Sequence, residues 1–335
     1  MIVTRTPLRV SFAGGGSDLP AYTASARGTC VSMALRSYVW ISVNRKFDGR
    51  VRVSYSRTEN VETAAEVQHD LVRLAMLRMG VRNGVEITSV GDVHAGSGLG
   101  SSGAFCVGLV HALAAYTGES LSQHQLAEVA TEVEGQGAGR TVGRQDQYAA
   151  AFGGLRRYRF NIDGTVEISE PLIVGDDLWH VSDSLLLFDS GRRRDASDLL
   201  RKTSDGLASF TDRGRIAFRM AAEAETLAEK LQPEGSVPES LLAPRVKLLL
   251  RDALQRGWAL KNMLTPEATD LELGGMVERG LAAGAMAGKV VGAGGGGFLL
   301  FVVDRPNQMA VRQALADLRE LQVQGDPLGS KVVLR

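Results

Sequence analysis

The chain has 335 residues, 44% of them hydrophobic and 23% charged, an ordinary globular composition at a length that fits two domains sharing an interface better than one. Lys+Arg and Asp+Glu both number 38, so no basic excess draws in nucleic acid or anionic membrane by bulk electrostatics. Cys30 and Cys106 give neither a disulfide framework nor a metal cluster. No uncharged apolar run reaches the roughly 18 residues of a membrane span. Arg5, Arg9 and Asp18 stand where a signal peptide would have its apolar core. A reducing, cytoplasmic setting is the expectation.

In chain order, residues 2–12 alternate with β-branched positions and predict a strand that runs into Gly14-Gly15-Gly16-Ser17-Asp18. Further strands are predicted at 38–45, 50–56 and 84–90, with a helix over 62–79 from the spacing of Val67, Leu71, Leu74, Ala75 and Leu77. After Gly96-Ser97-Gly98-Leu99-Gly100-Ser101-Ser102, helices are predicted over 102–116 and 122–134. Strands follow near 155–160 and 184–189, then long helices near 212–231, 240–263 and 267–284. A second glycine cluster, Gly292 to Gly297, leads into a strand at 298–303, a helix near 307–320 and a strand near 331–334. The late β-α-β pattern fits an α+β domain. We place the domain boundary near residue 180, giving segments 1–180 and 181–335, and a surface loop at 232–239.

The central glycine segment carries the most chemistry. Glycines let the backbone come close to a ligand, and a helix starting directly after them points free N–H groups at the loop. Ser101 and Ser102 add hydroxyls. The whole is a cradle for an anion, most naturally a polyphosphate. N-capping by a serine accounts for one serine and leaves Gly96, Gly98 and Gly100 unexplained. The G-x-G-x-x-G pattern occurs twice, at Gly98–Gly103 and Gly292–Gly297, neither following the first strand as a dinucleotide fold requires. The P-loop pattern is absent, because Val290 follows Gly288-Lys289.

Phosphoryl transfer needs a carboxylate at the acceptor hydroxyl, a phosphate-bound metal and cations against developing charge. Asp146, Glu134 and Arg9 are of those types. Taken singly, each is equally well a loop cap, an exposed helix-end acid and a surface ion-pair partner.

Three segments, TPLRVSFAGGGSDLP (6–20), GSGLGSSGAF (96–105) and KVVGAGGGGFLLF (289–301), resemble those of the GHMP kinases in the same order. GRQDQYAAAFGG (143–154), GAMAGKVVGAGGGGFLLF (284–301) and WALKNMLTP (258–266) are similar to the D-glycero-D-manno-heptose 7-phosphate kinases within that group. The resemblance spans nearly the whole chain. It implies a ribosomal-S5-like N-terminal domain and a ferredoxin-like C-terminal domain, with ATP between them. Gly96, Ser97, Gly98, Leu99, Gly100, Ser101 and Ser102 would wrap the ATP phosphates. Ser102 and Glu134 would hold Mg2+, which prefers oxygen ligands. Asp146 would orient or deprotonate the acceptor hydroxyl, with Arg9 beside it. Asp18 would bind sugar hydroxyls, and Gly15, Gly16, Gly294 and Gly295 would shape the acceptor side. Gly103, in place of the alanine common in relatives, would loosen the helix start by up to about 1 kcal/mol. Ser17 replaces a threonine, and Arg256-Gly257 a His-Glu-Ala type run.

The implied acceptor is a small-molecule sugar phosphate, with a homo-oligomer as one possible assembly. A phosphorylated acceptor needs cations away from the reacting hydroxyl. Arg140, Arg144 and the run Arg192-Arg193-Arg194 are the residues that suggest themselves, Arg193 at its centre. The run is equally well a solvated loop. Lys289 either reaches a phosphate or flanks a buried strand. The five histidines show no metal spacing.

Overall fold

The computed structural model describes residues 1–193, 196–205, 207, 211–232, 239–266 and 270–335. Most of the predicted loop at 232–239, and Arg194, lie outside the described residues. Twelve strands are assigned: β1 Ile2–Ala13, β2 Gly28–Arg45, β3 Val51–Ser54, β4 Thr58–Val61, β5 Val85–Gly91, β6 Leu155–Phe160, β7 Val166–Ile168, β8 Leu185–Asp189, β9 Ala287–Val290, β10 Phe298–Val302, β11 Arg319–Leu321 and β12 Lys331–Leu334. The helices are α1 Pro20–Thr23, α2 Asp70–Arg78, α3 Ser101–Thr117, α4 Gln123–Glu132, α5 Gln145–Phe152, α6 Asp176–Asp183, α7 Ala196–Ser204, α8 Asp212–Leu231, α9 Glu239–Leu264, α10 Leu271–Ala282 and α11 Gln308–Ala314.

The first sheet runs β12-β1-β2-β5-β3-β4, and β6 pairs the N-terminal half of β2 and carries β7. Eighteen residues of β2, rich in Val, Ile, Tyr and Trp, are long enough to pair β6 with one half and β5 with the other. Pro7 has no N–H to give, and the β1–β2 register shifts between Pro7 and Leu8. The strand beyond that shift carries Arg9.

The second sheet is antiparallel, in the order β11-β8-β10-β9. Counted within the sheet this is 4-1-3-2, with helices between its first and second and its third and fourth strands, the ferredoxin-like arrangement. Strand β12 returns to pair with β1, so the first sheet takes strands from both ends of the described chain. The fold is therefore mixed α+β, with helices packed on both sheets.

α3 is apolar on nearly all sides and is buried, with Leu109, Val110 and Leu113 fully enclosed. It packs against β1 and β2, which fixes where its N-terminus emerges. α8 and α9 pack on each other; α8 also covers β1 and β2, and α9 reaches both β1 and β9. The cavity opens between these layers.

Several elements differ from the sequence expectation. The helix predicted over 62–79 begins only at Asp70, because a separate 3-10 turn, Ala64–Glu66, takes up its first part and Glu59 accepts from the Gln68 and His69 amides (2.5 and 3.1 Å). The helix predicted near 307–320 ends at Ala314, and β11 follows. α5 was not foreseen, and it places Asp146 in a helix's first turn rather than in a loop.

Candidate active site

A large cavity of about 860 Å³ runs between the layers. Its middle is the glycine loop. α3 begins at Ser101, and the residue before it, Gly100, is left-handed (φ 72°) and makes no side-chain cap. The first amides of α3 are thus uncapped by any side chain and face a cavity lined by Gly96, Gly98, Gly100, Ser101 and Ser102. Neither serine caps the helix. Ser97 and Leu99 are fully buried and do not line the cavity, so they brace the loop from behind.

The loop rests on the second glycine cluster. A Cβ on Gly98 would lie 2.6 Å from the Val291 carbonyl oxygen, and one on Gly292 would lie 2.6 Å from the Gly98 Cα. The Phe298 amide donates to the Ser97 carbonyl at 3.1 Å, closing the same contact. Gly294 lines the cavity and Gly295 is buried behind it.

At one side of the loop mouth, Arg9 (4% exposed) donates from Nε to Asp146 Oδ1 at 2.7 Å and from Nη1 to the Gly98 carbonyl at 2.7 Å. One guanidinium therefore ties the carboxylate to the glycine loop. A Cβ on Gly103 would come within 2.7 Å of Asp146 Cβ. Rather than loosening α3, glycine at this position lets α5 approach closely enough to present Asp146.

Glu134 sits in a widened helical turn after α4, Val133–Gly137, a distortion that frequently marks functional sites. It is 4% exposed and accepts from Gln147 Nε2 at 2.7 Å. Burial, reinforced by the Asp146 charge, raises its pKa, while hydrogen bonding to Ser102 and Gln147 and the charge of Arg140 work the other way. A buried carboxylate beside a hydroxyl and a second carboxylate is an oxygen set short of positive charge, and a divalent cation fits it. The described residues contain no cluster of three or more His, Cys, Asp or Glu able to hold an ion by themselves.

Asp18 is 2% exposed; its Oδ1 accepts from the Gly16 amide (2.9 Å) and its Oδ2 from the Gln145 amide (3.2 Å). Burial and the Asp146 charge raise its pKa despite those bonds. Gly143 is indispensable to the fit, since a Cβ there would lie 1.9 Å from Asp18 Oδ2. Gly15 and Gly16 line the cavity beside it.

The proposed phosphate-reading arginines are placed elsewhere. Arg144 is engaged with Glu128, the Gly164 carbonyl (2.6 Å) and the Tyr148 ring, because Glu128 on α4 offers a carboxylate beside the start of α5. Arg192 pairs with Asp270 and Glu272, both at 2.7 Å. Arg193 is exposed and outside the cavity lining. Arg140 does line the cavity, where its charge acts on His69 and Glu134.

Sequence reasoning missed the aromatic end of the cavity and Lys261 at the other, while it leaves Lys289 as either a phosphate contact or a strand-flanking residue. One end is apolar and aromatic: Val39, Tyr55, His69, Leu71 and Phe105 line it, with the His69 ring 4.7 Å from Tyr55 and 5.3 Å from Phe105. No local pattern ties these positions together. At the other end, Lys261 of α9 lines the cavity and Lys289 of β9 donates to the Phe12 carbonyl at 3.2 Å. WALKNMLTP contained Lys261, and only its matching to relatives singled the segment out.

Residues 61–154 match the family model described as the GHMP kinases N terminal domain. The chain is 27% identical over 94% of its length, and 93% of the relative's, to a D-glycero-alpha-D-manno-heptose 7-phosphate kinase of Campylobacter jejuni. Its fold is similar to a solved D-glycero-D-manno-heptose 1-phosphate kinase from Bacteroides thetaiotaomicron (TM-score 0.78, 21% identity, covering 100% and 99% of the two chains). It is also similar to a Lactococcus lactis galactokinase complexed with galactose (TM-score 0.77, 15% identity, covering 98% and 94%). Residues 61–154 thus match a GHMP kinase N-terminal domain, and the chain as a whole has the fold of the sugar kinases it is similar to.

Proposed function

We propose that the protein is an ATP-dependent sugar kinase, and that its acceptor is the anomeric hydroxyl of D-glycero-D-manno-heptose 7-phosphate, on a route to nucleotide-activated heptose. The observation that carries the kinase reading is Arg9, bonded at once to Asp146 and to the carbonyl of Gly98 in the phosphate loop. It fixes the carboxylate that would meet the acceptor hydroxyl at the rim of the cradle that would hold the transferred group. Likeness to the C. jejuni kinase over nearly the whole chain supports the heptose acceptor.

In this reading the apolar, aromatic end takes the base, and the amides of α3 take the phosphates. Asp146 orients the acceptor hydroxyl and accepts its proton, worth roughly 10²–10⁴ in rate for a well-placed base. Arg9, already held, opposes charge developing on the transferred phosphoryl without reorganising. Ser102 and Glu134 would hold Mg2+, which neutralises phosphate charge when bound. Asp18, with both oxygens partly engaged by backbone amides, presents its remaining lone pairs to sugar hydroxyls.

The second reading, favoured by the fold likeness to galactokinase, is another sugar-1-kinase such as a fucokinase or galactokinase. A non-catalytic sensor on the same scaffold is a third, and it leaves the Arg9–Asp146 contact without a purpose. The deciding experiment is ADP release with Mg-ATP across the heptose 7-phosphate, the free heptose, mannose, fucose and galactose. Turnover restricted to the heptose 7-phosphate is expected. Turnover of a free sugar alone overturns the heptose phosphate acceptor and keeps the kinase; ATP binding with no turnover of any sugar favours the sensor.

A further inference from the structure

Beside the acceptor end of the main cavity lies a second, smaller one of about 40 Å³, room for roughly three water-sized groups. The two share Gly15, Gln145, Lys261 and Gly292 in their walls. The small cavity is more polar than its depth suggests. Ser11 (6% exposed) and Gln145 (8% exposed) both line it, and Ser11 Oγ and Gln145 Oε1 have no hydrogen-bond partner. Lys261 and Lys289 enter it from α9 and β9. Among the described residues, neither lysine makes an ion pair with a carboxylate.

That arrangement is costly without a ligand. Buried polar atoms lacking partners and half-buried cations lacking counter-charge each subtract from stability. The strain shows in the lysines themselves: burial, with the charges of Lys261 and Arg9, brings Lys289 down to about 7. Burial brings Lys261 down to about 8, with the Asp18 charge pulling the other way. Such sites persist where a ligand supplies what is missing. The missing group is an anion that accepts from two ammonium groups and a hydroxyl. Phosphate meets that description, and lysine binds it as a point charge.

We infer that the Lys261 and Lys289 ammonium groups and the Ser11 hydroxyl form an anion subsite, with Gln145 in its wall, that takes the phosphate monoester carried by the acceptor sugar, at the end remote from the hydroxyl being phosphorylated. The inference rests on the kinase reading above. It gives the acceptor a linear order: Asp146 at the reacting hydroxyl, Asp18 at the ring hydroxyls, and Lys261, which feels the Asp18 charge, at the far phosphate. It also replaces the arginine run, whose Arg192 is already committed to Asp270 and Glu272.

The test uses the full chain saturated with Mg2+ and a non-hydrolysable ATP analogue, so that the nucleotide phosphate site is filled. Inorganic phosphate is titrated calorimetrically into wild type and Lys261→Met, and KM values are then measured for ATP and for the heptose 7-phosphate. Wild type should bind phosphate. Lys261→Met should bind it at least about tenfold more weakly and show a similar rise in KM for the sugar phosphate, with KM for ATP unmoved. The variant should melt no lower than wild type, since it loses a desolvated cation whose burial outweighs the Asp18 attraction; a folding defect is thereby separated from a binding one. No phosphate binding by wild type, or equal binding by the variant, overturns the subsite whichever sugar is turned over. Phosphate binding that is lost in the variant while KM for the sugar phosphate stays put assigns the site to free phosphate and overturns its acceptor role. Phosphate binding lost in the variant, with no sugar phosphate accepted at all, upholds the anion subsite and removes the heptose 7-phosphate reading instead.

Discussion

The two sides of the cavity are built by opposite means. The proposed phosphate cradle is almost wholly backbone: uncapped amides of α3, held by glycines whose missing side chains let Gly98 and Gly292 touch. The proposed acceptor side is almost wholly side chain, with Arg9, Asp18, Asp146, Lys261 and Lys289 contributed by distant segments. A backbone site recognises what every user of ATP shares, and it tolerates little change at its glycines. A side-chain site can be rewritten residue by residue. Groups that differ in acceptor and agree in nucleotide are expected to place their variation in the second kind of site.

Asp146→Asn should break the acceptor side without touching the cradle. The amide keeps the shape and the Arg9 neighbourhood but cannot accept the proton, so kcat should fall about 10²–10⁴-fold with ATP affinity retained, as read by steady-state kinetics and a nucleotide titration. An unchanged rate would remove Asp146 from the chemistry. Gly143→Ala tests whether the acceptor side has a backbone constraint of its own. Its Cβ would collide with Asp18 Oδ2 at 1.9 Å, so either Asp18 or the 143 backbone must move. The expected result is a rise in acceptor KM of about tenfold or more and a loss of stability on the order of 1–3 kcal/mol, seen in chemical denaturation. A third effect concerns pH. Lys289 sits near 7 in the fold against an ordinary 10.5. Between those values the unfolded chain holds the proton that the folded chain has released, so stability should rise with pH from about 7 toward 10. Lys289→Met should flatten that rise, measured as denaturation midpoints at pH 7 and 9.

Legibility in the sequence followed the same division. The loop 96–102 was readable because its chemistry is local: a run of glycines and a helix start lie together in ten residues. β1 and α8 were readable from their periods, and α3 and β10 as continuous apolar runs that follow glycine clusters. Asp146 and Glu134 needed the resemblance, since an isolated acid carries no sign of what it faces. Arg144 went astray because a guanidinium binds whichever carboxylate is nearest in space, and Glu128 lies sixteen positions away in sequence. Lys261 was passed over for a related reason. A lysine on a long helix ordinarily points to water, and only the packing of α9 against β1 and β9 turns this one inward. The aromatic end was invisible because Val39, Tyr55, His69 and Phe105 come from four separate elements or turns.

The contact between Gly98 and Gly292 has a consequence for how this architecture can be divided or exchanged. A fragment holding residues 1–180 would carry every residue of the phosphate loop and lack the surface the loop leans on. It would also lack β12, which pairs with β1. Recombination that swapped the second half for a distant cousin's would have to bring a glycine to the facing position, or the loop would be pushed off its footing. The two glycine clusters are thus inherited as a matched pair, like the two halves of a hinge.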